Sequence, residues 1–268
     1  MKSRFIVLFI FLGFQSLSQT DSPFHLIRSI YGDFTGFTAD NLGNLFLLTR
    51  NNQLKKLDAK GDSMGVYNDV RKYGKLYSID VSNPFKTLLF YKDFRTVIVL
   101  DRFLNIVNTI DLRKQNIFQV RAVAQSYDNN VWVFDEQESK LKKIGEDGKL
   151  ISESADLRQV FAEAPVPTRI FDQNGFVHLY DPQRGMYIFD YYGSLKINIP
   201  LLDWKDVQVI GKTIAGRTAG KYITYTQGTL DVKEAVLPKN IRDAEILQIA
   251  PNGIYILEQK GVSLYALQ

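Results

Sequence analysis

The chain has 268 residues, a formal net charge of +4 and a pI near 9.0, so it is only mildly basic. It contains no cysteine, which excludes disulfides, catalytic thiols, thiolate metal ligands and a lipid anchor attached through a cysteine. Its 18 Phe and 14 Tyr stand with Val and Ile in short alternating runs, a composition that favours β-strands.

The first 18 residues predict a secretory signal peptide. Lys2 and Arg4 form a basic start, residues 5–14 form an apolar run, and Ser16 and Ser18 offer small residues for cleavage. The apolar run is shorter than the roughly 20 residues that a transmembrane helix needs, and no later segment approaches that length. We therefore expect residues 19–268 to form one exported domain without a transmembrane segment. Export argues against nucleic acid as a partner.

Ahead of any repeat lies the segment FHLIRSIYG, residues 24–32, which has the composition of a strand. The last repeated unit of the chain stops at Gln268 after only three strands. We expect the first segment to supply the missing outer strand and to close the ring as a clasp. Closure would remove the exposed strand edges that an open array of strands would carry.

Residues 37–268 consist of six copies of one unit. In the clearest copy, residues 37–62, Gly and Asn at the breaks between apolar runs indicate tight hairpins. First turns fall near residues 43, 85, 129, 175, 211 and 253, with spacings of 42, 44, 46, 36 and 42. A period of about 40 residues with four short strands is typical of propeller blades. The sequence therefore predicts an all-β fold, a six-bladed β-propeller of four-stranded blades.

A triplet of acidic or amide, apolar and basic residues separates each copy from the next. The five triplets are 69–71, 111–113, 156–158, 203–205 and 240–242. We predict that the Asp or Asn caps a single helical turn and that the apolar residue lies under the next blade. Equivalent positions in a propeller share one face, so the third residues would form a positive ring for an acidic partner: Arg71, Arg113, Arg158, Lys205 and Arg242. The alternative is that each basic group is solvated or pairs with its own Asp, which contributes little.

Residues for conventional catalysis are scarce. The chain has two histidines, His25 in the clasp strand and His178 in an alternating strand, and both positions favour a structural or solvent-facing role. There is neither a Gly-x-Ser-x-Gly elbow nor a phosphate-binding Gly loop. We therefore expect no catalytic residue and no cofactor.

Oxygen ligands for Ca²⁺ around the central channel are the alternative that the sequence leaves open. The candidates recur at the first turns: Asp40, Asn83, Asp128, Asp172 and Asn252. Asp and Asn in hairpin turns usually bond their own backbone instead, so we expect no metal site. The longest connection, residues 152–167, is either a binding element or a tolerated insertion.

Residues 40–61, DNLGNLFLLTRNNQLKKLDAKG, resemble the NHL-type repeat of six-bladed propellers. The matching positions are Asp40, Gly43, Asn44, Asn52, Leu57, Asp58 and Gly61. The resemblance implies a protein-binding platform, although some members of this class are lactonases or hydrolases. The ligand set of those enzymes has no residue-by-residue counterpart in this sequence.

The plan of a signal peptide followed by one small propeller resembles the periplasmic accessory proteins of outer-membrane complexes, including plugs of type 9 secretion pores. This resemblance implies a non-enzymatic periplasmic subunit, monomeric within a hetero-complex, that docks on an outer-membrane or secretion protein. One alternative is a small-ligand-binding or metal-dependent lactonase-like propeller that uses its channel. Another is an exported glycan-binding module, suggested by the aromatic residues.

Overall fold

The computed structural model describes residues 24–68, 70–218, 220–229 and 231–267, apart from the side chains of Val70, Arg71 and Leu267. The predicted signal peptide lies outside the described residues. The remainder forms six antiparallel sheets of four strands arranged as blades around a ring. The prediction of an all-β, six-bladed propeller is confirmed.

The strands follow one another in the order that the repeat predicts. The first strand and blade 1 comprise β1 (Phe24–Tyr31), β2 (Phe34–Ala39), β3 (Leu45–Thr49), β4 (Leu54–Leu57) and β5 (Ser63–Tyr67). Blades 2 and 3 comprise β6 (Ser78–Asn83), β7 (Lys86–Tyr91), β8 (Thr96–Asp101), β9 (Ile106–Asp111), β10 (Val120–Gln125), β11 (Val131–Asp135), β12 (Lys140–Ile144) and β13 (Leu150–Glu153).

The second half of the chain continues the same pattern. Blades 4 and 5 comprise β14 (Arg169–Gln173), β15 (Phe176–Asp181), β16 (Gly185–Phe189), β17 (Leu195–Ile199), β18 (Lys205–Ile210), β19 (Thr213–Thr218), β20 (Lys221–Thr226) and β21 (Val232–Val236). Blade 6 comprises β22 (Ile246–Ala250), β23 (Gly253–Glu258), β24 (Gly261–Leu267) and β1. Short helices interrupt four connections: α1 (Val70–Tyr73), a 3-10 helix (Leu112–Gln115), α2 (Leu157–Val160) and α3 (Lys239–Arg242).

The N-terminal strand closes the ring. β1 pairs antiparallel with β24 from Phe24 opposite Leu267 to Tyr31 opposite Gly261, so blade 6 contains both ends of the described chain. The Ser29 and Ser263 hydroxyls lie 3.1 Å apart across this pair. The predicted clasp is therefore confirmed.

Each blade packs its two faces against its neighbours, which explains why the middle strands are apolar on both sides. β7, for example, is buried at five of its six residues. The buried apolar residues of the described chain form six clusters, one for each junction between neighbouring blades. The first strand of every blade is innermost, and successive innermost strands contact one another around the channel.

The antiparallel blades give the ring two distinct ends. We call the end with the turns after the first and third strands of each blade the hairpin face; in blade 1 these turns are residues 40–44 and 58–62. The opposite end, with the turn after each second strand and the segments between blades, is the connection face. Left-handed backbone at Gly43 (φ 80°) and Asn129 (φ 67°) matches the positive φ predicted for the first turns. Within the described ranges, no helix has the length and apolar character needed to cross a membrane.

Candidate functional site

Two of the triplets form the capped turns that the sequence predicts. The Asp111 carboxylate accepts the Arg113 backbone N–H (3.1 Å), and the Asp156 carboxylate accepts that of Arg158 (3.0 Å). The apolar middle residues, Leu112 and Leu157, are buried in the clusters on the two sides of blade 3. The capping prediction is confirmed for these two triplets.

The capping prediction is wrong for the fourth and fifth triplets. Only residues 200–204 separate β17 from β18, which leaves no room for a helical turn, and Lys205 is already the first residue of β18. In the fifth, Pro238 occupies the cap position of α3, so Asn240 lies inside the helix and donates to the Tyr265 hydroxyl (3.2 Å). Ile241, the middle residue, is nevertheless fully buried. For the first triplet, Asp69 lies outside the described residues.

All five predicted basic positions lie on the connection face, but their side chains have different surroundings. Arg113 donates to the Asp111 carboxylate through Nε (2.8 Å) and Nη2 (2.7 Å), and the Arg158 guanidinium makes the same fork with Asp156. The remaining guanidinium that the structure describes, on Arg242, donates to the Asp243 carboxylate. The hydrogen bond from Arg113 holds the pKa of the Asp111 carboxyl below its usual range. These three groups are therefore locally neutralised, as in the alternative interpretation.

The other two predicted basic positions are Arg71 and Lys205. Arg71 lies in α1, and its side chain lies outside the described residues. Lys205 begins the innermost strand of blade 5, at the channel, and is exposed. No ion pair joins Lys205 to another residue in the described part of the chain. The five positions thus do not share one environment.

Exposed aromatic rings and basic groups meet at the connection-face end of blade 2. Tyr77, Phe94 and Phe118 are 49%, 44% and 47% exposed, which is high for such large apolar side chains. The Lys92 ammonium lies 4.8 Å from the centre of the Tyr77 ring, and Arg95 Nε donates to the Phe118 carbonyl (3.0 Å). These contacts tie the β7–β8 turn to the two flanking connections.

We call this surface the blade 2 patch. It consists of Tyr77, Lys92, Phe94, Arg95, Arg113, Lys114 and Phe118. The 3-10 helix is fixed to it because the Leu112 N–H donates to the Arg95 carbonyl (2.9 Å). Four cations face two nearby carboxylates, Asp93 and Asp111, so the patch is basic as well as aromatic.

The same face has the opposite character at blades 3 and 4. Four glutamates with exposed or half-exposed side chains lie there: Glu136, Glu138, Glu153 and Glu163. The cations among them are engaged: Lys142 pairs with Asp135 and Glu138 (2.8 Å each), and Arg184 pairs with Glu163 (2.7 Å). The connection face therefore has a basic side and a side rich in carboxylates.

On the hairpin face, the first-turn carboxylates have partners within the protein. Asp172 accepts Ser126 Oγ (3.0 Å), Trp132 Nε1 (2.9 Å) and the Tyr191 hydroxyl (2.6 Å). Asp128 pairs with Lys143, whose ammonium lies 4.9–5.6 Å from the ring centres of Tyr127, Trp132 and Tyr191. The space between these aromatic rings is thus filled by the protein's own cation.

The other first-turn candidates also bond locally. Asp40 accepts the N–H groups of Leu42 and Asn44 (2.9 Å each), and Asn83 accepts that of Phe85 (2.9 Å). The Asn252 amide donates to the Tyr255 hydroxyl (2.8 Å). Among the described residues, no group of three or more His, Asp and Glu side chains is placed to hold a metal ion.

The two histidines lie in different blades and in different environments. His178 is fully buried in β15, and its Nε2 lies 3.0 Å from the Gln227 amide. Burial lowers the pKa of His178, which favours the neutral ring. His25 is exposed on β1.

No family model matches the chain, and no curated protein matches it. The resemblance to NHL-type repeats therefore stays a prediction. Solved structures do resemble the fold. Virginiamycin B lyase from Staphylococcus aureus aligns with 12% identity and a TM-score of 0.61, over 91% of this chain and 100% of that chain. The β-propeller domain of Cps50 (Swd1) from Myceliophteria thermophila aligns with 10% identity and a TM-score of 0.58, over 92% and 100%.

PorZ, a surface component of the type-IX secretion system of Porphyromonas gingivalis, also aligns, with 10% identity and a TM-score of 0.48. The alignment covers 92% of this chain and 39% of that chain. One of these structural neighbours, virginiamycin B lyase, is an enzyme. At these identities the likeness shows the β-propeller fold alone.

Proposed function

We propose that this protein is an exported, non-enzymatic docking propeller whose blade 2 patch binds an acidic, partly apolar surface of an outer-membrane or secretion-complex protein. The observation that carries this proposal is the grouping of three exposed aromatic rings with four cations on one turn-rich surface. Single exposed apolar residues are normal, but aromatic residues and Arg grouped together are typical of protein interfaces.

The uneven charge of the connection face supports a defined orientation on the partner. An acidic surface is attracted to the basic side at blade 2, whereas the cations at blades 3 and 4 are already paired with carboxylates. Such complementarity chiefly governs the rate and register of association. Because the ring is closed, the basic side and the carboxylate-rich side keep a fixed position relative to each other.

The finer form of the proposal is a periplasmic subunit, monomeric within a hetero-complex, that covers the periplasmic side of a type 9 secretion pore. The signal-peptide pattern and the single-propeller plan of the sequence support this form. A disk with one basic, aromatic side would dock at the rim of a pore and leave its body over the opening.

The test is capture from the envelope. The protein, tagged at its C-terminus, is purified from envelope solubilised in mild detergent, and proteins bound in stoichiometric amount are identified by mass spectrometry. We expect a large outer-membrane protein. A triple variant, Lys92→Glu, Phe94→Ser and Lys114→Glu, should lower its recovery by about tenfold or more, the effect of roughly 1.4 kcal/mol.

The matched control is Lys149→Glu with Lys233→Glu, which makes the same change in net charge at two exposed lysines away from the patch. This control should recover the partner normally. Equal recovery with the triple variant would contradict the docking proposal. Arg113→Glu with Arg158→Glu tests the predicted ring, and unchanged envelope association would contradict a role for the ring. Because Arg113 also belongs to the patch, Arg158→Glu alone separates the ring from the patch.

A further inference from the structure

Three successive innermost strands carry a cation at the connection-face end of the channel. Arg121 is the second residue of β10, Arg169 the first of β14 and Lys205 the first of β18. Since β14 contacts both β10 and β18, these three positions are neighbours around the mouth of the channel. We call them the channel-mouth cations.

Arg169 is the central member of this group. Its Nη1 donates to the Val207 carbonyl (3.3 Å), on the innermost strand of the next blade, so the side chain spans the channel wall between blades 4 and 5. The residue is reached by solvent, yet the surrounding protein lowers the pKa of its guanidinium. Its place at the start of an innermost strand puts it at the channel rather than at the outer rim of the ring.

The two carboxylates that attract Arg169 electrostatically are already engaged. Asp80 accepts the backbone N–H groups of Gln125 (2.7 Å) and Ser82 (2.8 Å), and Asp206 pairs with Arg217. Both attract Arg169 only at longer range. The guanidinium therefore has free donors and no carboxylate of its own within the described chain.

The flanking cations are also incompletely paired. Arg121 is the extra residue of a β-bulge in β10; its buried Nε has no hydrogen-bond partner in the described chain, and its Nη1 lies 3.7 Å from Glu136. Lys205 is exposed and forms no ion pair with any residue that the structure describes. Three cations with spare donors thus lie on neighbouring innermost strands at the same end of the channel.

We infer that the channel mouth binds a small oxyanion, a phosphate or carboxylate group, between Arg169 and the flanking Arg121 and Lys205. A guanidinium offers a planar pair of N–H donors that matches two oxygens of either group, and an ammonium adds a point charge. This site is separate from the blade 2 patch, and its ligand is a small anion rather than a protein.

The test uses purified protein of residues 19–268 with inorganic phosphate and with citrate, which presents three carboxylates, at constant ionic strength adjusted with chloride. A ligand that binds only the folded state should raise the melting temperature by roughly 5–10 °C at a hundredfold excess over its Kd. Arg169→Gln should lower the affinity about tenfold or more, and Lys205→Gln by a smaller factor.

Lys233→Gln, on the exposed outer strand β21, serves as the control and should leave the anion response unchanged. An equal response in Arg169→Gln and the control would overturn the inference, as would the absence of any response to both anions. If Arg169→Gln does not fold, Lys205→Gln decides, since an unchanged affinity in that variant also overturns it. A response to phosphate alone or to citrate alone, lost in the variants, supports the site and identifies its ligand chemistry.

Discussion

Blade 6 and blade 2 use their polar residues in opposite ways. In blade 6, Gln248 on β22 bonds both the N–H (2.9 Å) and the carbonyl (2.8 Å) of Ala39 in blade 1, and the outer strand β1 comes from the other end of the described chain. In blade 2, which is a single stretch from Ser78 to Asp111, the polar residues at the connection-face end are exposed or paired locally. Gln248 thus joins blade 6 to blade 1, whereas the polar groups at the connection-face end of blade 2 are accessible to a partner.

The largest effect that separates the two blades should come from removing the clasp. Deleting residues 21–33 takes β1 out of blade 6, leaves the edge of β24 unpaired and uncovers the cluster between blades 6 and 1. We expect loss of the cooperative thermal transition, measured by circular dichroism. Only a modest, local change in melting would show that blade 6 does not depend on both chain ends.

The next largest effect should come from Arg217, which anchors the segment entering blade 6. Its buried guanidinium pairs with Asp206 and donates to the carbonyls of Ile241 (3.2 Å), Arg242 (3.1 Å) and Ala244 (3.0 Å). Arg217→Met leaves Asp206 charged and unpaired, so we expect a loss of about 3–5 kcal/mol in the free energy of unfolding.

Urea denaturation measures the Arg217 effect. Adding Asp206→Asn removes the unpaired charge and should recover part of the lost stability, while the carbonyls stay without their donor. If the double variant is as unstable as Arg217→Met alone, the buried charge is not the cause.

A smaller effect is expected at Gln248, with Gln208 as its matched counterpart. Gln208 in blade 5 bonds the N–H (2.8 Å) and carbonyl (2.9 Å) of Ile249 in the same way. Gln248→Ala leaves the buried Ala39 groups without partners and should cost about 1–3 kcal/mol in urea denaturation. Gln208→Ala should cost less, because Ile249 is only half-buried and water can replace the amide. The reverse order would contradict this account.

The smallest effect belongs to blade 2. Asp111→Ala removes the cap of the 3-10 helix and should cost about 1 kcal/mol. The folded protein holds the pKa of Asp111 below its usual 3.8, mainly through the hydrogen bond from Arg113, so the carboxylate stabilises the fold above that pH. This contribution is lost as the pH falls through the lowered pKa. The stability difference between wild type and variant should therefore shrink between pH 7 and pH 3, whereas a constant difference would indicate that the charge of the carboxylate does not stabilise the fold.

The period of turns and strands was enough to predict the propeller, because each blade repeats the same local chemistry of Gly, Asn and alternating apolar residues. The clasp followed from counting strands at the two ends. The caps at Asp111 and Asp156 followed from the triplet, but the cap at Asp203 did not form. There Asp203 adopts a left-handed conformation (φ 56°) and donates its N–H to Pro182 across a connection too short for a helix.

Neither the blade 2 patch nor the channel-mouth cations could be predicted in this way. Tyr77, Phe94 and Phe118 come from three different connections, and their grouping depends on how blade 2 meets its neighbours. Arg121 and Arg169 lie in strands β10 and β14. The alternation of polar and apolar residues in a strand indicates which face of the sheet a side chain occupies. The channel runs along the innermost edge of each sheet, and alternation does not identify that edge. The triplet signal identified Lys205 but assigned it to a ring of basic residues on one face rather than to the channel mouth.

The clasp also has a consequence for how the ring folds. Pairing β1 with β24 joins Phe24 and Leu267, which are 243 positions apart along the chain (267 minus 24). Contacts at such separation form slowly, because chain entropy opposes them until most other contacts are made. Blades 1 to 5 can therefore assemble from consecutive segments, whereas blade 6 is complete only when β1 pairs with β24.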